Sequence, residues 1–445
     1  MHKKITVKAL VAGVVIAMMV GVQSCYVAKE GTDTKDLSYI YNPSKSIFNP
    51  YYSIYNENSE TTDIAIRLAK NELYFSEANP SGEPMASIYV SVKLFDNTIG
   101  GSLCDTTAFR YDIKKDNIPL EFICTLRLQA YEGKSYTAEI KIIDLVRQRT
   151  FHNFLDFDKN DMLDRLNFRV RDNFSHHDLF SNIVKTDQYI NVLYPQRKID
   201  TIWVNYFQSV TATPPAPTEA LPEVTPVYEP LKVIPLQYSD TLPIMLPRQG
   251  IYLITLDSLS REGVTLLNLG NDHPTMTSPE TLIPPLAYIA TPEEMDSLLM
   301  AEKPKLALDN FWLKRTGNIE RSKELIRIYY NRTLFANYYF TSYKAGWLTD
   351  RGMIYIMYGP PDKLYKSAEG ESWGYKKPKE KSRWGSRFTV EDTYLWFNFE
   401  RKKNIFTDND FTLNRTTTPV SYWDIAVAKW RSGKVFSVDN PEELQ

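Results

Sequence analysis

The sequence predicts a multidomain, mainly β protein: two immunoglobulin-like antiparallel β-sandwiches followed by an α+β domain. Three observations carry that expectation. Short runs of apolar–polar alternation recur between turn clusters from about Asn49 to Leu269, as in strands with one buried and one wet face. After Pro279 the apolar spacing lengthens to that of helices. A chain of 445 residues is long enough for several domains, each burying its own core.

The N-terminus reads as an export signal. Met1-His2-Lys3-Lys4 is basic, and Val7 to Val22 is apolar apart from Lys8 and glycines, too short and too poorly flanked for a spanning helix. It ends in Val22-Gln23-Ser24-Cys25, which resembles a lipobox. Cleavage there leaves Cys25 first, with acyl chains such as palmitate on its sulfur and amine; the plainer alternative is an ordinary signal peptide ending near a cysteine. Each buried methylene adds about 0.8 kcal/mol, so several chains anchor stably. The domain plan is therefore a signal peptide at 1–24, a polar flexible tether at 25–45, sandwiches at 46–160 and 165–270, and the α+β domain at 280–445.

Within the first sandwich, Thr62–Leu68, Ser87–Leu94, Thr125–Ala130 and Tyr136–Asp144 alternate. Cys104 and Cys124 stand at a separation suited to neighbouring strands, and are either a disulfide of an exported protein or two free thiols. The second sandwich takes Phe168–Val170, Ile190–Tyr194, Thr201–Tyr206, Gly250–Thr255 and Gly263–Leu267. A proline-rich loop at 211–230 lies inside it.

In the last domain, Thr291-Pro292-Glu293-Glu294 is a capping box with proline at the first helical position. Pro304 is expected to end that helix; further helices run over Leu308–Arg315, stopped by Gly317, and Ile319–Phe340. Then comes Gly346-Trp347-Leu348-Thr349-Asp350-Arg351-Gly352, the apolar run Met353–Tyr358, and Gly359-Pro360-Pro361-Asp362. This reads as two turns around a strand covered on both faces, with the glycines free to take positive φ. Tyr394–Phe399 and Lys403–Phe406 read as hairpin strands and Ala426–Trp430 as a final helix.

The stretch resembles the signature of the GWxTD-domain proteins, a family of bacterial envelope proteins. Gly346, Trp347, Thr349 and Asp350 match the name; Arg351, Gly352, Gly359, Pro361 and Asp362 match its usual continuation. The resemblance implies a lipoprotein of the outer membrane in a Bacteroidota-like envelope. In that setting acidic residues after the lipidated cysteine route to the cell surface. Here Lys29 and Lys35 are mixed with Glu30, Asp33 and Asp36, which leaves surface and periplasmic face both open.

Chemistry is sparse. Asp350, Arg351 and Asp362 sit beside turns, where catalytic groups often lie, but they equally serve as caps and partners. Nothing pairs in sequence as an acid–base mechanism requires. Asp156-Phe157-Asp158-Lys159-Asn160-Asp161 opens like a calcium loop, yet lacks the sixth-position glycine and the twelfth-position glutamate. His176-His177-Asp178 is too short to close a metal site, and Lys376–Arg383 lacks the aromatic platforms of a nucleic-acid channel. A net charge of −2 supplies no field for nucleic acid. No metal, cofactor or nucleic-acid partner is expected. The expected partners are membrane lipid through Cys25 and an outer-membrane protein or other envelope lipoproteins, with the chain a non-enzymatic scaffold subunit for outer-membrane protein assembly, secretion or surface export. The alternative is an envelope hydrolase or glycan-binding protein; a hydrolase needs a pocket at the signature turns, a glycan binder an exposed aromatic platform.

Overall fold

The computed structural model describes residues 35–439 apart from 78–81, 119, 161–162, 197, 221–227, 379–391 and 419–420. The signal, Cys25 and the first part of the tether lie outside the described residues, as does Asp161.

The first sandwich consists of β1 (Tyr51–Asn56), β2 (Thr61–Ala69), β3 (Met85–Asp96), β4 (Ser102–Lys114), β5 (Glu121–Gln129), β6 (Lys134–Asp144) and β7 (Arg149–Lys159). Its sheets run β1-β2-β5 and β4-β3-β6-β7, with every neighbouring pair antiparallel. Alternation is strict on β5, where Phe122, Cys124, Leu126 and Leu128 are buried and the residues between them exposed. They meet Ile88, Val90 and Val92 of β3 across the core.

The second sandwich repeats the plan with β8 (Arg169–Asp172), β9 (Tyr189–Leu193), β10 (Thr201–Phe207), β11 (Lys232–Gln237), β12 (Ile244–Met245), β13 (Gly250–Thr255) and β14 (Val264–Asn268). Its sheets are β8-β9-β12 and β11-β10-β13-β14, the same relative order as in the first. Each sandwich also closes a tyrosine corner at its sixth strand. Tyr136 Oη accepts from Tyr131 N–H (2.7 Å) and donates to Tyr131 O (3.2 Å). Tyr252 Oη does the same with Arg248, at 3.1 and 2.8 Å. The proline-rich segment joins β10 to β11.

The last domain holds α1 (Pro279–Leu282), α2 (Pro292–Leu299), α3 (Pro304–Thr316), α4 (Ile319–Phe340), α5 (Asp350–Tyr358) and α6 (Ser421–Arg431). Its antiparallel sheet is β15 (Lys363–Lys366), β16 (Gly370–Lys376), β17 (Tyr394–Arg401) and β18 (Phe411–Leu413). The capping box closes α2 as the spacing required: Thr291 Oγ1 accepts from Glu294 N–H and the Glu294 carboxylate from Thr291 N–H. Pro304 starts α3 rather than merely ending α2, since proline at the first helical position gives up a donor the helix does not use.

Several sequence readings are corrected. Met353–Tyr358 is helix, part of α5, not a strand. Every residue of α5 is buried, so its apolar run has no polar face, and a short buried helix is then indistinguishable from a covered strand. Lys403–Phe406 forms no strand because Asn404 turns the chain: its Oδ1 accepts from Phe406 N–H (2.9 Å) and its amide donates to Asp410 (2.9 Å). The fourth strand is β18 instead. Cys104 is exposed on β4 and Cys124 buried on β5, both as free thiols; these strands belong to different sheets. Residues 35–45, read with the tether, form a docked N-terminal strap. Leu37 is fully buried, and its N–H donates to Leu364 O on β15 (2.8 Å). Asp156 lies within β7 and pairs with Arg401 at 3.2 Å.

Candidate functional site

The signature lies where α4, α5 and the sheet meet, and its small residues are there for contact. Neither Gly346 nor Gly352 has a positive φ. A Cβ on Gly346 would sit 1.9 Å from Ala336 O, and one on Gly352 1.9 Å from Gly346 O. Backbone packs on backbone at both positions, so the expected turn conformations give way to close approach. Thr349 clasps the turn: its hydroxyl donates to Gly346 O (2.7 Å) and accepts from Gly352 N–H (3.0 Å), capping α5. Trp347 is buried; its N–H donates to Asn337 Oδ1 (3.1 Å), and Tyr288 Oη donates to its carbonyl.

At the other end of α5, Gly359 does need its φ of +85°. The Arg332 guanidinium lies against it and donates to Ile356 O and Met357 O, both at 3.1 Å, completing the last turn. Burial pulls the Arg332 pKa down to about 10. Pro361 is buried, whereas Asp362 is exposed at the head of β15. Its carboxylate accepts from Lys376 N–H (2.9 Å), fixing the start of the β15–β16 hairpin.

The two central charges are buried. Asp350 accepts from both Nη atoms of Arg415 (2.8 and 3.2 Å) and from Leu413 N–H (2.8 Å). The same Arg415 donates to Pro215 O in the proline-rich segment (2.8 Å). Arg351 is 2 % exposed. It donates to Glu371 (3.2 Å) and Asn409 O (3.1 Å), and its guanidinium lies 3.8 Å from the Phe411 ring centre. Glu371 also accepts from Trp373 Nε1 (3.0 Å) and from Tyr41 Oη (2.8 Å), a residue of the N-terminal strap. Burial pushes the Glu371 carboxyl up, but the Arg351 and Lys366 charges and these hydrogen bonds hold it below its ordinary value. Tyr355 Oη of α5 donates to Tyr41 O (2.8 Å), so the strap is fastened to the signature helix as well.

Asp350 and Arg351 thus point to different partners inside the protein, and Asp362 stands apart on the surface. The three do not converge. The partners that make sense of them, Glu371, Arg415 and Asn409, with Tyr41 beyond Glu371, are distant in sequence and carried no local pattern. Two open depressions, of about 460 and 390 Å³, lie along α6, lined by Asp424 and Arg431 in one and by Glu324 and Lys429 in the other; neither includes a signature residue. Among the described residues no group of three metal-ligating side chains gathers, and no helix is long and apolar enough to cross a membrane.

The family model of the GWxTD domain matches residues 250–432. This part of the chain is a GWxTD domain. Its match begins inside the second sandwich, at β13, and the packing gives a reason. One face of β13–β14 fills that sandwich with Tyr252, Ile254 and Leu266. The other places Ile251, Leu253 and Leu267 against Phe406, which follows β17, and Tyr228 of the proline-rich segment. No curated protein matches the chain. Among solved structures, a glycosyl hydrolase family 2 member from Bacteroides cellulosilyticus has a TM-score of 0.19 at 4 % identity, over 25 % of this chain and 15 % of that one. Bacteroides uniformis beta-glucuronidase 2 has 0.17 at 10 % identity, over 37 % and 16 %. Likeness that slight carries no argument about activity.

Proposed function

We propose that the protein is a non-enzymatic lipoprotein of the outer membrane, anchored through Cys25, that serves as a scaffold subunit of an envelope complex. The observation that carries this reading is how the signature spends its charges. Arg351 reaches the strap through Glu371, and Asp350 reaches the proline-rich segment through Arg415. The motif ties an anchored N-terminus and the second sandwich to one core, which is a joint rather than a reaction centre.

The docked strap also bears on orientation. From Cys25 to the strap at Lys35 the chain reaches at most roughly 35 Å, which on this reading keeps the β15 edge of the GWxTD sheet within that distance of the membrane. The exposed apolar side chains Leu299 of α2, Met300 just after it, and Leu306 and Leu313 of α3 are available to a protein partner.

Gentle affinity purification of the lipidated protein from membranes, read by mass spectrometry, tests this. Stoichiometric recovery of an outer-membrane barrel or of other envelope lipoproteins is expected. Recovery of the protein alone, under conditions that keep known membrane complexes intact, would contradict it. Cys25→Ala should release the chain from the membrane fraction.

A further inference from the structure

The outer face of the GWxTD sheet carries a row of aromatic rings that the fold does not need for its core. Strand alternation sends Leu364, Trp373, Leu395 and Phe397 inward, all buried. Tyr365, Tyr394 and Trp396 take the opposite face and are partly exposed. Trp396 pairs in register with Gly374. A Cβ on Gly374 would come within 2.9 Å of Cη2 and Cζ3 of the indole, so the ring lies across the glycine. Tyr365 is nearly parallel to it, with centroids 5.8 Å apart at 27°, and Tyr394 follows at 5.7 Å and 44°.

Covering a strand glycine with a cross-strand aromatic is a known packing device. It accounts for one ring but not for three in succession. Beside the rings runs a polar strip: Ser372 Oγ donates to Asn398 Oδ1 (2.8 Å), and the Asn398 amide lies 3.5 Å from Thr417 Oγ1. The charges flanking the face are paired, Lys363 with Asp36 (3.0 Å), Lys376 with Asp392 (2.7 Å) and Lys402 with Glu400 (2.8 Å). Among the described residues these charges offset one another, and the face is aromatic on one side and rich in amide and hydroxyl groups on the other.

We propose that this face binds a neutral glycan chain. The C–H groups of a pyranose carry partial positive charge and stack on the electron-rich face of an aromatic ring, while its hydroxyls find the amide and hydroxyl strip. The ring spacings are comparable to the size of one sugar. The pairing of the described flanking charges matches a neutral polymer.

The test is calorimetric titration of the full chain, in detergent, with maltohexaose, cellohexaose, mannohexaose and xylohexaose. At least one is expected to bind. Trp396→Ala and Tyr365→Ala should each weaken that binding tenfold or more, Tyr365→Ala at unchanged melting temperature, and Trp396→Phe should weaken it less than threefold. If Trp396→Ala fails to fold, Tyr365→Ala and Asn398→Ala carry the decision. Absence of binding by all four sugars, or binding insensitive to the folded variants, would overturn the proposal. So would a sedimentation coefficient that falls in Tyr365→Ala, which would make the face a contact between two copies.

Discussion

The two sandwiches share strand order and tyrosine corner, yet they stand in the molecule differently. In the first, β5 keeps an exposed face along its whole length. In the second, every residue of β13 and β14 is buried, because the sheet has a core on each side. The first keeps a core of its own and contributes Phe154 of β7 to the core of the GWxTD domain. The second shares Phe406, Tyr228 and Tyr343 with the GWxTD domain and belongs to that unit. Topology assigns a strand to a sandwich, but packing decides what it melts with.

The most disruptive way to test that distinction is Gly352→Ala. With backbone 1.9 Å from the new Cβ, the seam must open, at a cost of about 3 kcal/mol or more. Calorimetry should show the second sandwich and the GWxTD domain melting together at lower temperature, with the first sandwich's transition nearly in place. Arg351→Ala comes next. It leaves Glu371 buried without its main partner, a loss of about 3–5 kcal/mol, read in the same joint transition.

Smaller changes compare the sandwiches directly. Tyr136→Phe and Tyr252→Phe each remove the corner hydroxyl, costing about 1–2 kcal/mol. The first should shift only the first sandwich's transition and the second the joint one. The smallest effect is that of pH. His273, beside Thr341 at the end of α4, has its pKa lowered by burial to about 4. The unfolded chain takes up that proton near pH 6.5, so stability of the joint unit falls as pH drops from about 6.5 towards 4. His273→Gln should remove that slope in the pH dependence of melting.

The same contrast explains what could be read from sequence. Alternating runs such as Thr125–Ala130 disclose a sheet with one wet face, and Thr291–Glu294 discloses a helix start through its own side chains. The second sandwich is harder to see because Gly250–Thr255 is apolar throughout, a consequence of its second core. The signature was visible as a motif while its helix was not, for the same reason: α5 has no wet face. Gly346 and Gly352 read as turn residues because sequence cannot distinguish a glycine needed for φ from one needed for contact. Glu371, Arg415 and Tyr41 were out of reach, since only tertiary structure brings them to Arg351 and Asp350.

Native-state hydrogen exchange on the full chain tests most directly the claim that the signature is the joint of a shared unit. Asp350–Tyr358 and Gly250–Asn268 are predicted to exchange slowly and as one cooperative group, with Arg351→Ala accelerating both while Glu121–Gln129 keeps its rate. Fast exchange across Asp350–Tyr358, or acceleration that stops short of Gly250–Asn268, would contradict it.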